Sequence, residues 1–236
     1  MKFEALILAA GFGKRLGDLT KDTPKPLVEI MGKPLIYFVI QKLKKYGVSK
    51  IFINTHYLHE KMESYFKKNS FGVEIELIYE KEILDSGGAI ANIQDKLSTN
   101  YLLVHNADII SDLDINESLK YHIEQRNTVT LIIQKRETSR KLQFDNRFYF
   151  KGRFDSSKGY KGYGFQGIHI LNKEIVESME KGKFPIIDYY CKLKDKGYKI
   201  GGFEMCKNSL WKDLGRVEDL MEIEKDIRFN KILGKK

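Results

Sequence analysis

Apolar positions recur along the first half of the chain in two alternating rhythms. Residues 5–9 form a nearly unbroken apolar run, the pattern of an interior strand covered on both faces. Leu35, Ile36, Phe38, Val39, Ile40, Leu43 and Tyr46 then recur at helical spacing, with Pro34 suited to the first turn and Gly47 as the stop. Residues 50–55 read as a second strand, and Leu58, Met62, Tyr65 and Phe66 mark a second amphipathic helix. A strand over 73–79, a helix over 86–97 opened by a serine-glycine turn, and a buried strand over 101–104 continue the alternation. Strand and helix in turn predict a mostly parallel, doubly wound sheet.

The second half changes rhythm. Residues 128–134, 141–150 and 163–171 read as strands joined by glycine-rich turns. Gly152, Gly159, Gly162 and Gly164 predict a mobile loop over 151–164. Helices over about 172–181 and 186–196, a strand over 199–205 and a closing helix from near Arg216 complete the pattern.

Length and composition narrow the class. A chain of 236 residues suits one α/β domain over 1–236 with a large core. There is no run of 18 apolar residues and no charged-then-apolar leader pattern, so no membrane partner is expected. Cys191 and Cys206 have no C-x-x-C spacing, which predicts a reduced, cytoplasmic protein. The net charge of +9 raises a nucleic-acid partner, but the lysines are scattered and no basic run is interleaved with aromatics. No nucleic acid is therefore expected, and small polyanionic substrates account better for the cations near the N-terminus.

Those cations lie in residues 6–27, LILAAGFGKRLGDLTKDTPKPL. A buried strand runs into a turn at Ala10 and Gly11, and Gly11 and Gly13 leave backbone N–H groups bare to face an anion. Arg15 and Lys25 add two positive charges, and the set suits the triphosphate of a nucleotide. The dinucleotide fingerprint needs a third glycine where Leu16 stands, and the Gly-Lys-Ser/Thr of a P-loop is absent.

The segment resembles the signature of the sugar-1-phosphate nucleotidylyltransferases, with Gly17-Asp18 in place of the usual residue-Pro pair. The resemblance implies a Rossmann-like three-layer α/β/α sandwich with a mostly parallel mixed central sheet. It also implies a nucleotide-binding half at about 1–115 and a sugar-binding half at about 116–236. Two later motifs fit it. In YLLVHNAD, Asp108 follows a buried strand, and the resemblance makes it a Mg²⁺ ligand with Asn106 near the sugar. In WKDLG, Asp213 takes the place of the second metal ligand. Without the resemblance, Asp108 reads equally as a turn cap and Asp213 as the N-cap region of the closing helix.

Base and sugar contacts are thinner. Glu80, Ser86 and Gly87 stand where relatives approach the base; a carboxylate accepts from uracil, thymine or guanine N–H groups and disfavours cytosine. Gly152, Gln166 and Asp188 are the further sugar-pocket positions. The implied reaction is attack of a sugar-1-phosphate oxygen on the α-phosphorus of a nucleoside triphosphate, with pyrophosphate leaving in line. Arg15 would hold the departing phosphates and Lys25 would bridge the α-phosphate and the sugar phosphate, with no general base needed.

The compact length, the D-S-G-G turn and the R-x-T-S-R segment at 136–140 look most like the N-acetylmuramate-1-phosphate uridylyltransferases of peptidoglycan recycling. UTP is then the expected donor, Mg²⁺ the cofactor, and a monomer or small homo-oligomer the expected assembly. The alternatives are a guanylyltransferase acting on mannose- or heptose-1-phosphate and, from another class, a non-catalytic nucleotide-sugar sensor.

Overall fold

A computed structural model describes residues 2–226 and 229. The chain runs through β1 (Glu4–Leu8), the short hairpin β2 (Glu29–Ile30) and β3 (Lys33–Pro34), α1 (Leu35–Lys45), β4 (Lys50–Thr55), α2 (His59–Lys68) and β5 (Glu74–Tyr79). It continues with α3 (Asp85–Ala91), β6 (Tyr101–Asn106), β7 (Ile109–Ser111), α4 (Ile115–Glu124), β8 (Val129–Gln134), β9 (Lys141–Phe144) and β10 (Phe150–Arg153). The described part ends with β11 (Lys161–Asn172), α5 (Lys173–Glu177), α6 (Ile186–Asp195), β12 (Ile200–Glu204), β13 (Trp211–Asp213) and α7 (Val217–Lys225). This is the mixed, mostly parallel sheet with helices that the alternating pattern predicts.

Two compact units interleave along the chain. The first comprises residues 1–83, 105–112 and 209–236, and the second 84–104 and 113–208. In the first, β1, β4 and β5 pair in parallel, with Leu8 opposite Asn54 and Thr55 opposite Tyr79. The run from Ala5 to Ile7 is fully buried, as its unbroken apolar pattern requires. Leu35, Phe38, Leu16, Ile110, Leu214 and Ile223 share one apolar cluster, so the segments around 16, 110 and 214 are drawn together by burial. β13 pairs antiparallel with β7, setting Asp213 opposite Ile109.

In the second unit, β8 is fully buried and pairs antiparallel with β11 and parallel with β12. The predicted strand over 141–150 is two strands. Asp145 Oδ1 accepts from Arg147 and Tyr149 N–H at 2.9 Å each, turning the chain between β9 and β10. The predicted loop over 151–164 is also corrected: β10 runs to Arg153 and β11 starts at Lys161, so only residues 154–160 connect them. The predicted helix over 86–97 stops at Ala91 and is followed by a separate 3-10 turn, Gln94–Lys96.

Candidate active site

All the charged residues singled out in the first and later motifs lie in the first unit. β1 ends at Leu8 and the chain passes through Ala10 and Gly11 into a 3-10 segment, Lys14–Thr20. Gly13 sits in the left-handed region at φ 67°, and a Cβ there would lie 2.9 Å from Thr20 Cγ2 and 3.0 Å from Lys25 Cβ. Glycine is thus required twice over, by conformation and by the close approach of the Lys25 stem. The buried Thr20 hydroxyl donates to the Gly13 or Gly17 carbonyl, each 3.1 Å away, and closes the loop on itself. Gly17 kinks the segment at φ 56°, ψ −124°. No Cβ contact would arise at Gly11, whose backbone stays open.

The two cations meet the two motif carboxylates. Lys25 Nζ donates to Asp108 Oδ2 in a largely buried ion pair. Arg15 lies 3.7 Å from Asp213 Oδ1. Asp108 reaches this place because Ala107 N–H donates to the Leu8 carbonyl at 3.0 Å, and Asp213 because Leu214 N–H donates to the Asp108 carbonyl at 2.9 Å. Neither aspartate caps a helix: Arg216, not Asp213, is the N-cap of α7.

Asp213 is the electrostatically costly member. Burial, and then the negative charge of Asp108, push its carboxyl above the ordinary aspartate range, while Lys25 and Arg15 pull the other way. Its Oδ1 is buried and accepts no hydrogen bond. A second acidic group close by and an oxygen with no donor form a donor set suited to a hard divalent cation, which takes one or two carboxylates and completes its shell with water and phosphate oxygens. Among the described residues no group of three or more His, Cys, Asp or Glu is placed to hold a metal, so a two-carboxylate site is the form available.

Two residues of this site were not singled out from the sequence. A Cβ on Gly215 would lie 2.4 Å from an Arg15 guanidinium nitrogen, so the guanidinium rests against bare backbone there. The final glycine of WKDLG was the available signal. Asn54, which looks like any strand residue, is buried and accepts from Ala9 N–H at 2.7 Å. Its Nδ2 donates to Glu80 Oε1 at 2.8 Å. Glu80, expected near a base, is itself 2% exposed and tied to Asn54. Asn106 is half-buried, and its carbonyl accepts from His105 Nδ1 at 2.8 Å. His105 is fully buried, and burial followed by the charge of Lys42 lowers its pKa to about 3.

The remaining predicted positions belong to the second unit. Gly87 N–H donates to the Phe184 carbonyl at 2.9 Å, so that amide is committed within the unit. A Cβ on Gly87 would lie 2.3 Å from the Phe184 ring, so glycine is needed for packing. Ser86 Oγ accepts from Ile186 N–H at 3.1 Å. Gln166 is buried and donates to the Gly164 carbonyl at 2.9 Å. Gly152 takes φ 118° at the irregularity between β9 and β10. Asp188, in the first turn of α6, pairs with Arg153 at 2.6 Å.

Known proteins resemble this chain in sequence and in fold. The model of the nucleotidyl transferase family matches residues 4–144. A D-glycero-α-D-manno-heptose 1-phosphate guanylyltransferase of Aneurinibacillus thermoaerophilus is 28% identical over 95% of this chain and 98% of its own. Mannose-1-phosphate guanylyltransferase 1 of Arabidopsis thaliana is 30% identical over 92% of this chain, which spans 62% of that relative. The crystal structure of HddC from Yersinia pseudotuberculosis, also solved with GMP-PN, superposes with a TM-score of 0.78 at 26% identity, covering 93% of this chain and 96% of that one. The chain belongs to the nucleotidyl transferase family, among the sugar-1-phosphate nucleotidylyltransferases.

Proposed function

We propose that this protein transfers a guanylyl group from GTP to a heptose- or mannose-type sugar-1-phosphate, releasing pyrophosphate. The observation that carries the reaction type is the meeting of Arg15 and Lys25 with Asp108 and Asp213 beside the Ala10–Gly13 turn. The base and sugar follow the guanylyltransferase names of the relatives, one of which matches nearly end to end.

The chain's own groups supply positioning and charge. An oxygen of the sugar-1-phosphate forms a bond to the α-phosphorus, the bond from that phosphorus to the bridging oxygen breaks, and pyrophosphate departs with the electron pair. Two polyanions must approach, so neutralising their repulsion is the first task. Arg15 and the Gly11–Gly13 backbone hold the departing phosphates. Lys25 spans the α-phosphate and the incoming sugar phosphate. The attacking phosphate is already ionised near neutral pH, and no side chain has to remove a proton. Mg²⁺ held by Asp108 and Asp213 would add Lewis-acid charge at the α-phosphate. Asn106 is assigned to the sugar side. The free thiols Cys191 and Cys206 support a cytoplasmic setting, where soluble nucleotides are available. No helix among the described residues is long and apolar enough to cross a membrane.

The test is pyrophosphate release with Mg²⁺ and GTP, UTP, dTTP or CTP against a panel of sugar-1-phosphates. Turnover with GTP and a heptose or mannose phosphate is the expected result. Turnover only with UTP and N-acetylmuramate-1-phosphate would move the protein to the uridylyltransferase group, and binding without turnover across the panel would make it a sensor.

A further inference from the structure

The exit of β1 is pinned from two sides. The Leu8 carbonyl accepts Ala107 N–H, and the next amide, Ala9 N–H, donates to Asn54 Oδ1 at 2.7 Å. Asn54 stands opposite Leu8 in the parallel register, so its side chain extends the ladder one step past the end of the strand. Its Nδ2 donates to Glu80 Oε1 at 2.8 Å. Asn54 and Glu80 are 4% and 2% exposed. Glu80 is fixed in turn by its backbone: its N–H donates to the Thr55 carbonyl at 2.8 Å, and its own carbonyl accepts from His56 Nδ1 at 2.8 Å.

This chain of contacts has a direction. An asparagine amide can present either its oxygen or its nitrogen to Ala9, and only the oxygen can accept that N–H. A carboxylate accepts and does not donate, so Glu80 draws the NH₂ group and leaves Oδ1 to face Ala9. Removing Glu80 frees the amide to rotate, and removing Asn54 leaves a buried backbone N–H without its acceptor. Both changes reach the same two residues next along the chain, Ala10 and Gly11.

We propose that Asn54 and Glu80 are a positioning pair that sets the phosphate-facing turn at Ala10–Gly11, and that Glu80 acts through Asn54 rather than on the base. This rests on the reading of that turn as the nucleotide site. The pair would raise the KM for the nucleotide and leave the KM for the sugar phosphate unchanged when broken. It would also weaken every nucleoside triphosphate alike, because the turn faces phosphate and not base.

The experiment compares the full chain with Asn54→Ala, Glu80→Ala, the double variant and Glu80→Gln. Binding of GTP, UTP and ITP is followed by calorimetry with Mg²⁺, and steady-state KM and kcat by pyrophosphate release. Each alanine variant is expected to lose about tenfold or more in affinity for all three nucleotides, with a double variant no weaker than Asn54→Ala alone. Glu80→Gln, whose side-chain oxygen still accepts from Asn54, is expected to recover most of the affinity. Additive losses, or a Glu80→Ala loss confined to GTP, would overturn the inference by making Glu80 a base contact. Should Asn54→Ala fail to fold, Glu80→Ala against Glu80→Gln with the three nucleotides decides the same point. A wild-type chain that binds no nucleotide at all would instead overturn the reading of the site itself.

Discussion

Gly215→Ala is a small change with a calculable target. The new Cβ would lie 2.4, 2.6 and 2.7 Å from the Arg15 guanidinium atoms, and these are the nearest atoms it meets. Ordinary contact begins near 3.4 Å, so the guanidinium must retreat by about 1 Å. The backbone need not move, because the displaced group is the end of a long side chain that is 58% exposed. Its partner Asp213 is 39% exposed and 3.7 Å away, and an ion pair of that kind contributes about 0–1 kcal/mol. Stability should therefore hardly change, with Tm within about 3 °C of wild type. Catalysis should respond far more, because about 1 Å of misplacement of a group that holds a reacting phosphate can cost about 10²-fold. The assay is pyrophosphate release by Gly215→Ala, Arg15→Ala and the double variant, with melting curves for each. Wild-type turnover in Gly215→Ala would refute the seating of Arg15 on that glycine. So would a large further loss when Gly215→Ala is added to Arg15→Ala, since the glycine would then act on something else.

Four further outcomes follow from the geometry. Lys25→Ala and Asp108→Asn should each lower turnover by about 10²–10³, the scale of losing one transition-state charge partner, and near-normal rates in both would remove these residues from the mechanism. Asp213→Asn should lower turnover yet raise Tm slightly: the folded-state pKa of Asp213 lies above its unfolded value, so its carboxyl favours the fold at low pH and opposes it as pH rises through the folded pKa. A pH series of melts should show the Tm gain at neutral pH and its disappearance at acid pH. His105 runs the other way: with a folded pKa near 3 against about 6.5 unfolded, its contribution is complete above about 6.5 and is lost as pH falls toward 3. Urea titrations of His105→Gln should show a shallower loss of stability over that interval than wild type. Gly87→Ala should destabilise by about 1–3 kcal/mol, read by urea melts, because its Cβ would press on both the Phe184 ring and the Phe184 carbonyl.

The legible parts of the fold were those whose reasons are local. The strand at 50–55 and the helix at 59–68 follow from hydrophobic period alone, and Gly47 at φ 77° ends α1 as its position predicts. The split between β9 and β10 was missed although Asp145-Asn146 carries turn chemistry, because apolar residues on either side read as one run. Helix α4 went unread although Asp114 and Glu117 announce its start, and Asp114 Oδ1 does accept Glu117 N–H at 2.9 Å. β13 is three residues long and exists through its pairing with β7, which no window of local sequence contains. The site divides the same way. Arg15 and Lys25 stand out locally as cations beside a glycine turn, whereas Asp108 and Asp213, each with a capping role as its local reading, stand out only through the family resemblance. Asn54 and Gly215 were hidden because their work depends on neighbours distant in sequence: Ala9 and Glu80 for one, Arg15 for the other.

The interleaving of the two units has a consequence for biosynthesis. A ribosome delivers β1 and Arg15 early, but Asp213 and the strand that carries it come after the whole of the second unit, residues 84–104 and 113–208, has been made. The first unit cannot finish its apolar cluster until Leu210, Leu214, Leu220 and Ile223 emerge. A nascent chain therefore holds a half-built first unit, with Leu16 and Phe38 still without their C-terminal partners in that cluster, for the time taken to translate about a hundred residues, some 5–20 s. That interval is when the chain is most open to chaperones and to aggregation, and when the pairing of Arg15 with Asp213 is still to come.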